Sequence, residues 1–425
     1  MLEDFQEQMK DLLGRDDALT VEDALMLLSK QKLSMTGAEL IPIENAYGRV
    51  LAQNVASPEN LPGFNRSTMD GYAVNSADTF GVSDTMPVYL QIKGQVLMGQ
   101  RAEIRLQRGE ACQIPTGGML PEGADAIVMF EYTSRLDNDM VEVMKTVSPG
   151  ENVIMFDEDV KKGEVILKAG QRLRPQDIGA LAGLGILEIE VYIKPVVAIL
   201  STGDEVVPPD KPLSIGEVRD INSYNLSGMI SACHAVPLKK GIIRDDLDIL
   251  REAVKQALNE SDMLLITGGS SVGVADYTAK VINELGSPGV LFHGVAMKPG
   301  KPVIGGIVDG KPVFGLPGHP AAITVSFETF IEPLLIRLSG EIAKPAIPSR
   351  RTVRALFSRN LSSAIGREEH LRVYVEKRNG ALWAVPVLGK SGLVRTLVQA
   401  DGIVIVPMKK SGIYEGEEVE VRLFK

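Results

Sequence analysis

The chain has 425 residues, too many for one ordinary hydrophobic core and, at about 150 residues per domain, enough for roughly three domains. Lys and Arg number 45 against 55 Asp and Glu, a net charge of −10 with no basic block to follow a phosphate backbone, which makes nucleic acid a poor partner. No stretch approaches the roughly 18 uninterrupted apolar residues of a membrane span, and the opening MLEDFQEQMK lacks the layout of a leader, so a cytoplasmic protein with no membrane association is expected.

Thr20–Ser29 (TVEDALMLLS) is predicted as an amphipathic packing helix, with Thr20 as cap and Glu22 and Asp23 in its first turn. Short β-like runs follow from Glu39. Leu61–Val74 (LPGFNRSTMDGYAV) then reads as an irregular exposed loop leading into a strand, because Pro62, Gly63, Asn65 and Gly71 break any regular pattern. Arg66, Ser67, Thr68 and Asp70 cluster there, and on local grounds they make either a ligand loop or a solvated turn. Between Pro87 and Val147 short strands broken by Gly, Pro and Asp indicate an inserted all-β module, in which Ile114–Met119 forms a Gly-rich turn bearing Thr116. Asp157, Glu158 and Asp159 then precede a Lys pair, a Gly turn and a helix opening at Pro175.

From about Ile193 the pattern changes to alternating strands and helices. Strands are expected at Pro195–Leu200, Val236–Ile243 and Asp262–Thr267, with paired strands near Pro302–Ile307 and Pro312–Leu316. Helices are expected at Ser223–Cys233, Asp246–Asn259, Tyr277–Leu285 and Ala321–Leu338. Such alternation yields a mostly parallel sheet covered on both faces. Beyond Pro345, the runs Arg351–Leu356, Glu369–Lys377, Ala381–Pro386, Gly402–Pro407 and Glu418–Leu423 predict a terminal β-module. Cys112 and Cys233 have no metal spacing and sit in apolar runs, as small buried hydrophobes do.

The chemistry concentrates where strands of the α/β segment end: Ser201–Val206 (STGDEV), Gly268–Gly273 (GGSSVG), Lys298–Pro302 (KPGKP) and Pro317–Ala322 (PGHPAA). Ligands settle at that crest of an open α/β sheet, where glycines let backbone N–H groups approach an anion. Gly268 and Gly273 satisfy the outer glycines of a P-loop, but Val274 and Ala275 stand where it needs Lys and Ser/Thr, and G-x-G-x-x-G spacing is not met either. What remains is a set of anion cradles beside carboxylates: Asp204, Glu205, Asp245, Asp246 and Asp276. Carboxylates beside a phosphate repel it unless a hard cation bridges them, so Mg²⁺ is expected, with Lys298 and Lys301 holding an oxyanion from the other side. Asp246 as a plain helix cap is the competing reading. No Ser/His/Asp or Cys/His nucleophile arrangement is visible, and His319 is the single histidine in these loops.

Seven segments carry a resemblance. NRSTMDGYAV, IPTGGMLPEGADAIV, STGDEVV, GIIRDD, ITGGSSVGVADYT, MKPGKP and FGLPGHPAA resemble, in order, the molybdopterin molybdenumtransferases of the MoeA and gephyrin E-domain type. The resemblance implies a multidomain α/β plus β fold: a central doubly wound α/β domain of molybdopterin-binding type at 193–340, an inserted β-module at 61–149, a discontinuous N-terminal linker domain at 1–60 and 150–192, and a C-terminal β-barrel-like domain at 345–425.

It further implies a homodimer that takes adenylylated molybdopterin and molybdate and, with Mg²⁺, releases AMP and leaves molybdenum on the dithiolene, the substrate coming from a molybdopterin adenylyltransferase. Carried over by position, Asp70, Glu205 and Asp276 are catalytic, and Glu205, Asp245 and Asp276 hold the metal. The substrate would meet Thr116, Asp159, Thr202 and Asp245, the run Gly268, Gly269, Ser270 and Ser271, the run Lys298, Pro299, Gly300 and Lys301, and also Pro317, Gly318, Pro320 and Ser391. Arg367 and Arg372 are candidates on the molybdate side. In the family one subunit's α/β domain faces the partner's first two domains. This chain departs from the pattern at His319 and Ala322, at Gly294, and at Ile154 and Phe156. Two alternatives stand beside the transferase reading: a molybdopterin-binding scaffold without turnover, and a transferase that prefers tungstate.

Overall fold

The structure, a computed structural model, describes residues 18–268, 272–342, 351–390 and 392–424. It divides into two compact units, one of Met1–Ala52, Gly170–Arg174 and Glu188–Lys425, the other of Gln53–Ala169 and Pro175–Leu187. The segments expected as a discontinuous linker domain are shared between them.

The first unit opens with helix α1, Val21–Ser29, where Thr20 Oγ1 accepts from the Asp23 N–H at 3.0 Å. One face of α1, through Ala24 and Leu28, joins the core of the α/β sheet.

The second unit is built on strands β1 (Gly71–Val74), β2 (Val88–Gln95), β3 (Glu110–Ile114), β4 (Ala126–Met129), β5 (Thr133–Arg135) and β6 (Met140–Val143). They form one sheet in the order β4-β1-β3-β2-β6-β5. Alternate residues serve opposite faces, as a period of two demands. Tyr72, Val74, Ala111 and Val128 fill one core, and Ala73, Cys112, Ile114 and Ile127 the other. Burial pushes the Cys112 thiol up to about 11, so it behaves as the small hydrophobe expected. Helix α2, Pro175–Gly183, closes this unit's sequence.

Back in the first unit, the α/β fold runs β7 (Val196–Thr202), α3 (Asn222–Ala232), β8 (Val236–Ile243), α4 (Leu247–Asn259), β9 (Met263–Thr267), α5 (Val272–Leu285), β10 (Pro288–His293), a two-residue strand β11 (Met297–Lys298), β12 (Ile304–Val308) and β13 (Lys311–Leu316). The sheet order is β8-β7-β9-β13-β12-β10, with the first four strands parallel and β12 and β10 antiparallel to their neighbours. Helices cover both faces. Val197, Ile199, Leu265 and Phe314 point to one core, shared with α1, α3 and the helices after β13, while Ala198, Leu200, Leu264 and Val313 point to the other, shared with α4 and α5. Phe314 is 0% exposed, and Phe314→Ala is expected to cost the α/β fold about 3–5 kcal/mol. Urea unfolding followed on this unit measures it, and a loss under about 1 kcal/mol would mean the core refills the space.

Three expected elements differ. Helix α5 starts at Val272, not Tyr277, although Gly273 is a poor helix former. The expected helix Ala321–Leu338 is α6 (Pro320–Ser326), a π-helical turn at Phe327–Ile331 and α7 (Glu332–Leu338), with Phe327, Phe330 and Ile331 all buried. The edge strand β10 was not expected, since its residues carry no alternation. Cys233 also departs, lying half-buried on the wall of a cavity of 390 Å³.

The terminal module has β14 (Thr352–Phe357), β15 (Glu368–Arg378), β16 (Ala381–Pro386), β17 (Gly402–Val406) and β18 (Glu418–Leu423). Their order β15-β16-β14-β18-β17, with β17 pairing back onto β15, closes a small barrel around Phe357, Val373, Val404 and Val421. Strand β11 pairs parallel with β15, so the α/β fold ends one of its loops on the barrel. No described helix is long and apolar enough to cross a membrane.

Candidate active site

The sheet order dictates what lies beside what along the crest of the α/β fold. The ends of β8 and β7 carry acids, the end of β9 a glycine turn, and the end of β13 a proline-rich turn.

At the acidic end, Asp204 and Glu205 follow β7 and Asp245 follows β8, whose paired residues Thr202 and Ile243 set the loops side by side. The Asp245 carboxyl is raised above the usual carboxylate range by burial first and then by the charges of Asp204 and Glu205, partly offset by the Asp204 backbone N–H. The negative charges of Asp204 and Glu205 beside Asp245 make this end of the crest a place that favours a cation. Asp246 takes no part: its Oδ1 accepts from the N–H groups of Asp248 and Ile249, each at 2.9 Å, as an ordinary cap of α4.

In the middle, Gly268 has φ +113°, and a Cβ there would run into the backbone oxygen of Thr202. The two loops are therefore pressed together, and the buried Thr202 Oγ1 has no hydrogen-bond partner among the described residues. Gly269, Ser270 and Ser271 lie outside the described residues. Just past them, Asp276 near the start of α5 has a buried Oδ1 without a hydrogen-bond partner among the described residues. Its charge acts on His293 at the end of β10, an imidazole that burial keeps below its usual pKa. Among the described residues no three His, Cys, Asp or Glu side chains already close on one point at ligand distance.

At the other end Lys298, Pro299, Gly300, Lys301 and Pro317 share one cleft of 660 Å³, walled opposite by the barrel. His319 and Ala322 also line it, as do Arg367 and Arg372. Gly318 is fixed by the Asn222 side chain, whose Nδ2 donates to the Gly318 oxygen at 2.9 Å, and Pro320 opens α6. Ser391 lies outside the described residues, although its neighbour Lys390 is on the cleft wall. Lys298 is not free: its Nζ lies 2.5 Å from Glu369 Oε1. Glu369, buried on β15, is the residue that sequence reasoning missed. Only the pairing of β11 with β15 brings it to the lysine loop, and no local pattern announces that pairing.

In the second unit, the Thr116 N–H donates to Asp70 Oδ1 at 2.8 Å, and Gly117 N–H to the Ser67 oxygen at 2.8 Å. The turn bearing Thr116 and the loop bearing Asp70 are thus one knot. The loop bearing Asp159 is tied to it: the Asp159 N–H donates to the Leu61 oxygen at 3.0 Å, and the Phe156 N–H to Asn65 Oδ1 at 2.6 Å. Asp70, Thr116 and Asp159 are all exposed. The polar groups of this loop do cap one another, as the local reading allowed, and leave one Asp70 oxygen for other work.

The first unit thus joins a doubly wound α/β domain, with acid and cation loops at its crest, to a small barrel, the architecture of a multidomain protein that takes its ligand at the carboxyl ends of the sheet strands. Residues 19–185 match the MoeA N-terminal region (domain I and II), residues 198–337 the probable molybdopterin binding domain, and residues 354–424 the MoeA C-terminal region (domain IV). The chain is 33% identical to the molybdopterin molybdenumtransferase of Bacillus subtilis over 91% of its own length and 90% of the relative's. A protein of Methanocaldococcus jannaschii named for molybdopterin biosynthesis is 39% identical, over 91% and 92%. A solved molybdopterin biosynthesis MoeA protein of Pyrococcus horikoshii superposes with a TM-score of 0.80 at 38% identity, covering 96% of this chain and all of that one. The chain belongs to the MoeA family of molybdopterin molybdenumtransferases. It is a transferase of molybdenum cofactor biosynthesis.

Proposed function

We propose that this chain inserts molybdenum from molybdate into adenylylated molybdopterin and releases AMP in a Mg²⁺-dependent reaction. The observation that carries the reading is the polarity of the crest, acids at β7 and β8 and cations around the Lys298–Lys301 loop, with a glycine turn between them. A pterin whose phosphate carries a nucleotide needs that sequence of environments.

The hard oxygen donors fit Mg²⁺, and the buried Oδ1 of Asp276, without a hydrogen-bond partner among the described residues, fits a ligand still to arrive. Glu205, Asp245 and Asp276 would hold the ion, which when bound neutralises phosphate charge. The chain's own groups do the rest. Gly268 and the turn that follows it receive phosphate oxygens on backbone N–H groups, and Thr202 Oγ1 has a hydrogen bond to give there. Lys301 and Arg367, with Lys298, orient the oxyanion. Asp70, Thr116 and Asp159 act from a second copy of the chain in a homodimer. The exposed Phe64, Met69, Met155 and Phe156 beside them support that placement, since apolar side chains around a functional loop suit a subunit contact. The four-domain division, a cytoplasmic setting and delivery from an adenylyltransferase belong to the same reading. The tungstate alternative keeps its footing in His319 and Ala322, both on the cleft wall.

The test is incubation of the purified protein with adenylylated molybdopterin, Mg²⁺ and molybdate. AMP should appear well above the protein-free rate, and AMP release no faster than that control rejects the enzyme reading in favour of a binding protein. Replacing molybdate by tungstate in the same assay decides between the two oxyanions.

A further inference from the structure

Among the described residues the 660 Å³ cleft is lined by Lys298, Lys301, Arg367, Arg372 and Lys390, and by a single carboxylate, Glu369. A carboxylate only 5% exposed is a costly group to place where an anion must land. Nor is it loosely held. Lys298 Nζ sits 2.5 Å from Oε1, and Ser363 Oγ donates to Oε2 at 2.6 Å. The backbone fixes the pair as well, because Lys298 and Glu369 are register partners of β11 and β15, and the Glu368 N–H donates to the Ala296 oxygen at 2.9 Å. Burial works against the charged carboxyl, but Lys298, Ser363 and Arg367 together outweigh it and keep the group below its usual pKa. Glu369 therefore stays ionised, and an ionised carboxylate only accepts hydrogen bonds.

We propose that Glu369 is the oxyanion-selecting residue of the cleft, admitting a tetrahedral oxyanion that arrives with a proton and rejecting one that cannot carry it. The proposal rests on reading the cleft as the oxyanion site. When Lys298 shares its N–H donors with an incoming anion it stays beside Glu369, which remains ionised, and Oε1 then faces the oxygens of the ligand. Two acceptors in contact are repulsive, and a buried acceptor with too few donors is costly. An O–H on the ligand removes both penalties. Molybdate is a dianion near neutral pH, but its oxygens are more basic than those of sulfate, and a carboxylate waiting to receive the hydrogen bond favours its protonated form over that of sulfate. Selection against sulfate thus comes from a group built to be wrong for it, and Ser363, which keeps Oε2 occupied, aims Oε1 at the ligand.

Calorimetric titration of the full chain with sodium molybdate and sodium sulfate tests this, each run in two buffers of different ionisation enthalpy. Wild-type protein should take up about one proton per molybdate bound and bind sulfate at least about tenfold more weakly. In Glu369→Gln, whose amide can donate, proton uptake should vanish and sulfate should tighten about tenfold. Molybdate binding to the wild type without proton uptake overturns the proposal, even if the variant does not fold. Unchanged sulfate affinity in a folded variant overturns it as well. If neither anion binds wild type or variant, the oxyanion reading of the cleft falls with it.

Discussion

Glu205→Ala and Asp276→Ala are each expected to lower AMP release by at least about a hundredfold, with thermal unfolding close to that of the parent chain. Glu205 is an exposed residue after β7, and the Asp276 Oδ1 has no hydrogen-bond partner among the described residues, so the fold is not expected to depend on either carboxylate. Removing Glu205 also relieves a charge that raises the Asp245 pKa. Stability should therefore hold or rise slightly while turnover collapses. A coupled assay for AMP, run beside a melting curve, reads both quantities. Parent-like rates in both variants would remove the metal site, and a large fall in melting temperature would recast these acids as structural.

Gly268→Ala is expected to be the most damaging single methyl in the crest. Its φ of +113° is strained for any L side chain, and the added Cβ would meet the backbone of Thr202, which cannot swing aside as a side chain can. Backbone strain of this kind costs on the order of 1–3 kcal/mol, with the displacement of the β7 end added to it. Because Gly268 closes against the end of β7 on the crest, binding of AMP should weaken along with stability. Denaturant unfolding and an AMP titration measure the two. A variant as stable as the parent, with unaltered AMP affinity, would show that the two loops are not pressed together.

The α/β crest was legible because each strand is a short apolar run that stops at Gly or Pro, and the barrel because its strands alternate cleanly. Glu418–Leu423 and Ala381–Pro386 were placed to the residue. Legibility failed where partners far along the chain decide the outcome. Val272 to Asp276 became helix against the propensity of Gly273 because α5 packs on β10 and β12. Pro288–His293 became a strand because the hairpin β12–β13 offered it an edge. The resemblance marked Lys298 as a ligand residue, but no reading of KPGKP could reveal its carboxylate partner, which is supplied by β15. Asp70 and Thr116 were named separately, and only the structure shows that one hydrogen bond joins them.

Met297 and Lys298 end one fold and extend another, as an extra strand on the barrel. Such a seam makes the terminal module part of the lysine loop's foundation rather than a detachable tail. A chimaera that took the module from a different relative would inherit the wrong edge for that loop unless the two sides of the seam were exchanged as a pair.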